Sequence, residues 1–166
     1  TNVLAGSTED NIGKDPAELF SFFNEGLTSE FNLAISKSTG LYPDLIKYVV
    51  GQGGRNFKIN EYDTASSTIF GYANARGAAA VGAASYLQTP PFGTDPARLR
   101  SFSSVGGTPI LFDTAGNRLT SPEVRFKPAF VAPDGGNNTF FGVDIAEDPD
   151  DFPNFAGTSA AVAHAG

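Results

Sequence analysis

The stretch GAAAVGAAS, residues 77–85, constrains this chain more than any other. Its side chains are all small, and they run on without alternating with polar residues. A strand with one wet face would interleave polar side chains. A continuous small run instead suits a strand buried on both faces, as in a parallel sheet with helices packed closely on it. KPAFVAP (127–133) is a second short buried-strand candidate, and it closes on a proline. AGTSAAVAHAG (156–166) opens a helix of alanines, which are favourable helix formers. The expected class is α/β.

The first 66 residues read differently. AELFSFFN (17–24) and EFNLAISKS (30–38) alternate apolar and polar residues, while LIKYVV (45–50) and FKINEYD (57–63) add β-branched and aromatic ones. NEGLTS, TGLYPD and GQGGRN between them are turn chemistry. Four short strands in a small antiparallel sheet are expected, giving a β-rich unit over 1–66 ahead of the α/β portion at 67–166. Asp15-Pro16-Ala17-Glu18 is also a good helix start, but the LFSFF after it prefers a strand, which is the reading taken. ILFDTAGNRL (110–119) reads as a hairpin around Asp113–Asn117, and DIAEDPDDF (144–152) as an acidic surface loop.

The totals narrow the function. At 166 residues with 40% hydrophobic and 17% charged content, the chain is globular in composition. A net charge of −7 argues against nucleic acid, whose binding needs a basic face. No stretch approaches the ~18 consecutive apolar residues of a membrane span. With no cysteine there is no disulfide, thiolate metal site or cysteine nucleophile, in either a reducing cell or a secreted bacterial protein. Thr1 and Gly166 look like cut ends, so a fragment of a larger protein is expected.

Ser159 stands where chemistry is favoured. A serine in the first turn of a helix lies among N–H groups that lack partners, at the positive end of the dipole. Gly157 ahead of it lets the chain bend sharply and lets a substrate backbone come close. The plainer reading is that Thr158 or Ser159 only caps the helix. His164 is the sole histidine. Five residues along a helix is a rise of about 7.5 Å and a turn of about 140°, too far for a base that needs hydrogen-bond reach. His164 therefore reads as structural, packed on the sheet or bonded to a nearby carbonyl.

The run Gly157-Thr158-Ser159-Ala160-Ala161-Val162-Ala163-His164 resembles the signature of the subtilisin-like serine peptidases. AAAVGAAS (78–85) resembles that family's I-A-V-G-A strand, SFSSVGGTP (101–109) its F-S-S-x-G loop, and KPAFVAPDG (127–135) its K-P-D-V-x-A-P-G strand. The matches occur in family order over residues 70–166. The resemblance implies a partial subtilisin-like parallel-sheet core carrying the nucleophile helix, with a β-rich insertion before it. It implies that Ser159 is the catalytic nucleophile of a serine endopeptidase and that its own N–H is one oxyanion donor. The family's Asp and His segments and its oxyanion Asn segment precede the matched strand, and none of their motifs is here; Asn74 reads as a helix-end or turn residue. The chain alone is therefore expected to be inactive.

Three departures stand out: Ala163 for the motif's Pro, Ala129 for an Asp that would serve a cation site, and Asp134 inserted into the turn beneath the site. No cofactor is expected for the chemistry. Calcium in the intact protein is the one cation considered, and the residues 144–151 do not have EF-hand spacing. The expected partners are a peptide or protein substrate, with neither nucleic acid nor membrane, and self-association through an uncovered sheet edge. An extracellular or cell-envelope location in a bacterium is taken with this reading. The alternatives are a β-rich binding module that steers substrate, and a pseudopeptidase.

Overall fold

The structure, a computed structural model, describes residues 2–51 and 58–166. It falls into two units, Thr1–Lys47 and Tyr48–Gly166.

The first unit corrects the expected antiparallel sheet. Among its described residues there is neither strand nor helix, so the segments at 17–24, 30–38 and 45–47 are not strands, and the helix start at Asp15 is not used. Residues 48–50 and 58–63, in the second unit, are not strands either, and Phe57 and the turn residues 52–56 lie outside the described residues. The turn chemistry does act. Asn24 accepts the Gly26 N–H at 3.1 Å and donates to the Thr28 carbonyl at 2.8 Å, with Phe22 and Phe31 edge to face across it. Lys37 donates to the Gly40 carbonyl at 2.6 Å and lies 4.2 Å over the Tyr42 ring. The ladders between the turns do not form. Period-two alternation marks a strand only when a second layer covers its apolar face. Here Leu19 and Phe23 are 90% and 81% exposed, so nothing covers it.

The second unit is mixed α/β, with one α-helix and small parallel and antiparallel sheets among the described residues. Strand β1 (Val81–Ser85) pairs in parallel with β4 (Phe130–Asp134), from Val81 opposite Phe130 to Ser85 opposite Asp134. Helix α1 (Thr158–Ala165) packs on this pair, and Ala83, Ala132 and Ala161 form the core with Val81 and Ala165 at its margin. β1 is buried as its small run requires. β4 departs from expectation: Ala132 and Asp134 are buried, but Phe130, Val131 and Pro133 are exposed, so only one of its faces is covered.

The other edge of β1 is closed by the loop after it. The Arg100 N–H donates to the Ala83 carbonyl at 2.9 Å, and the Ala83 N–H donates to the Ser103 hydroxyl at 3.0 Å. The expected hairpin is present as β2 (Pro109–Phe112) and β3 (Arg118–Val124). Asp113 pins its turn by accepting the N–H groups of Ala115 and Asn117 at 2.9 and 2.8 Å and the Asn117 side chain at 3.0 Å. Finally β5 (Gly136–Asn137) and β6 (Asn154–Phe155) pair antiparallel, returning the chain to the C-terminal end of β4 just before α1 begins.

Three fully or nearly buried alanines let α1 lie close on the sheet. Leucine at Ala161 would overfill that contact and should cost ~1–3 kcal/mol or more. Leucine at the exposed Ala163 should stay within about 0.5 kcal/mol of the parent. Urea unfolding checks the contrast, and equal midpoints for the two variants would place the core elsewhere.

Candidate active site

Helix α1 starts at Thr158, one residue earlier than a Thr158 cap and two earlier than a Ser159 cap would allow. The N-cap is Gly157, at φ 132° and ψ 167°, and it has no side chain to cap with. That positive φ is open to glycine and strained for other residues. The first intrahelical bond runs from the Ala161 N–H to the Gly157 carbonyl at 3.1 Å. Among the described residues, the N–H groups of Thr158, Ser159 and Ala160 have no acceptor, and the Ser159 hydroxyl has no partner. Ala160 and Ala161 turn inward, while Ser159 is exposed. A cavity of about 340 Å³ opens beside the same turn, lined by Thr158, Val162, Ser104, Val81, Ile69 and Phe70 among others.

Beneath the turn lies Asp134, with no exposed surface. One carboxylate oxygen accepts Arg100 Nε at 2.8 Å; the other accepts the Gly157 N–H at 2.9 Å. A buried carboxylate is costly without a counter-charge and hydrogen bonds, and this one has both. Asp134, at the end of β4, therefore reaches the start of the helix.

His164 is not brought to Ser159. Its Nδ1–H donates to the Ala160 carbonyl at 3.0 Å, and the edge of its ring lies over Gly136. This is the structural role expected of it. Asn74 ends a short 3-10 helix (Gly71–Asn74), also as expected, and its carbonyl accepts the Arg125 guanidinium at 2.7 Å.

The acidic loop is only partly a solvated one. Asp144, Glu147 and Asp151 are exposed, but Asp148 is buried. Asn154 is the hub that holds it. The two N–H bonds of its side-chain amide are shared among Asp148 at 2.7 Å, the Asn137 oxygen at 2.8 Å and the Gly135 carbonyl at 2.9 Å, while its oxygen accepts the Ile145 N–H at 3.1 Å. Hydrogen bonds from Asn154 and then from Tyr86 hold the Asp148 carboxyl below the usual range. The Tyr86 hydroxyl is pushed up to about 12, first by burial, then by its bond to Asp148 and the negative charges nearby. Among the described residues no group of three or more His, Cys, Asp or Glu side chains is placed to hold a metal ion.

Nothing in the local sequence marks Arg100, Ser103 or Asn154 as an anchor, because their partners lie far along the chain. The one available signal was Asp134 itself, a carboxylate directly after a buried-strand candidate, which needs a cation and donors nearby wherever the fold buries it. The fold and this helix start define a small mixed α/β protein with an accessible serine at a helix N-terminus. Comparison with protein-family models, curated proteins and solved structures finds no match.

The Asp148–Tyr86 contact has a pH signature. A lowered carboxyl favours folding above the unfolded value of about 4, and that contribution fades as pH falls through the folded value. A raised phenol favours folding below about 10, and its contribution fades as pH rises toward about 12. Spectrophotometric titration should show one of the five tyrosines ionising last, and Asp148→Asn should move that one downward. Five tyrosines ionising together near 10 would contradict the contact.

Proposed function

We propose that this chain carries the nucleophile segment of a subtilisin-like serine endopeptidase. The carrying observation is Ser159: an exposed hydroxyl in the first turn of a helix whose leading N–H groups are unclaimed. The parallel β1–β4 pair beneath it, the F-S-S-x-G loop bonded to β1 and the order of the matched segments support a partial subtilisin-like core. In the proposed reaction the Ser159 oxygen attacks the carbonyl carbon of a peptide bond and its proton passes to a general base. The carbonyl oxygen takes negative charge and is met by the Ser159 N–H. The amine leaves with a proton from the base, and water then hydrolyses the acyl ester to free the serine. His164 is committed to the Ala160 carbonyl, so the base is another residue, beyond this chain's only histidine.

The alternative of a substrate-steering β module is weaker than the peptidase reading, because it rested on four strands that the described residues do not form. Self-association is part of the proposal. Among the described residues no strand pairs with the far edge of β4, and Phe130 and Val131 are exposed there. An extracellular or cell-envelope setting goes with the peptidase reading. Among the described residues, no helix is long and apolar enough to cross a membrane.

Ser159→Ala should lower peptide hydrolysis by the full-length protein by a factor on the order of 10⁶. Unchanged turnover would end the peptidase reading. The 166-residue chain alone should give no fluorophosphonate label at Ser159, and labelling would mean that it assembles its own activating environment. Sedimentation should show concentration-dependent association, and a clean monomer would remove that part of the proposal.

A further inference from the structure

An ordinary helix start takes a Ser, Thr, Asp or Asn at the N-cap, whose side chain accepts the N–H of the second or third helical residue. In α1 those residues are Ser159 and Ala160. A side-chain cap at position 157 would thus compete for the N–H that an oxyanion needs. The cap here is Gly157, which has no side chain, and the anion that complements the helix comes from a neighbouring strand. Asp134 accepts the Gly157 N–H, one step ahead of the helix, and leaves the next donors alone. Arg100 closes on the other carboxylate oxygen, with its side chain 31% exposed against 0% for Asp134. The guanidinium balances the carboxylate, so a bare buried anion does not face the place where negative charge would develop.

We propose that Asp134 and Arg100 are a positioning pair for Ser159. They cap the helix from β4 through the Gly157 N–H, fix the first turn, and keep the Ser159 N–H free for a substrate oxygen. This rests on the peptidase reading for its purpose, and its geometry can be tested apart from that reading. Neither residue touches the substrate. Both act through Gly157.

Amide hydrogen exchange followed by NMR gives the test. Asp134→Ala should speed exchange at Gly157 and Ala161 by about tenfold or more, while Thr68 and Ala129, bonded elsewhere in the same unit, stay as they are. Asp134→Asn alone should also lose protection, because its amide sets a donor against Arg100 or against Gly157. Adding Arg100→Gln gives a neutral pair of matching donors and acceptors, and should restore Gly157 protection to within about threefold of the parent. These near-isosteric variants keep the test open if the alanine variant does not fold. Unchanged exchange at Gly157, equal loss at Thr68 and Ala129, or no recovery in the double variant would overturn the pair. Fluorophosphonate labelling of Ser159 in the full-length protein should slow with Asp134→Asn and recover in the double variant. Absence of label in the parent would strike at the peptidase reading, and the exchange result would still decide the positioning pair.

Discussion

A carboxylate with no exposed surface ties the second unit together. Asp134 ends β4, holds Arg100 from the loop after β1, and receives the Gly157 N–H at the mouth of α1. Three separate stretches of chain meet on one side chain. Buried charge of this kind is expensive unless it is paired and hydrogen-bonded, so the arrangement is demanding as well as cohesive. It sets where the helix begins, and Ser159 stands two residues further on.

Around that contact the packing is made of very little. The core is chiefly alanine, and alanine contributes small apolar area per residue. Its value is the close approach of helix and sheet. Side-chain and backbone hydrogen bonds do the rest: Ser103 takes the place of a strand on β1, Asn154 gathers the acidic loop, and Asp113 shapes the hairpin turn. Polar groups fix the geometry of a unit whose apolar contacts are short.

Legibility in the sequence followed the range of the interaction. GAAAVGAAS, ILFDTAGNRL and GTSAAVAHA carry their structure in local pattern, and each forms the expected element within a few residues. The same local logic correctly read the turns at Asn24 and Gly40. It failed for the strands beside them, because a strand's hydrogen bonds and its covered face both come from elsewhere in the chain. Leu19 and Phe23 have the pattern of half-buried residues and no layer to bury them. In the candidate site, Ser159 and the structural place of His164 were legible; the cap at Gly157 and the part played by Arg100 were not.

By itself the sequence determined that a small-residue strand and an alanine helix would pack closely, that Gly157 precedes a serine at the start of that helix, and that His164 lies out of that serine's reach. Spacing along a helix and the size of side chains decide such things, and both are properties of neighbours in the chain. Tertiary structure alone decided that Asp134 would be buried, that Arg100, 34 residues earlier in the chain, would neutralise it, and that its second oxygen would cap the helix. A buried carboxylate can take partners from anywhere in the chain, and only the folded arrangement selects them.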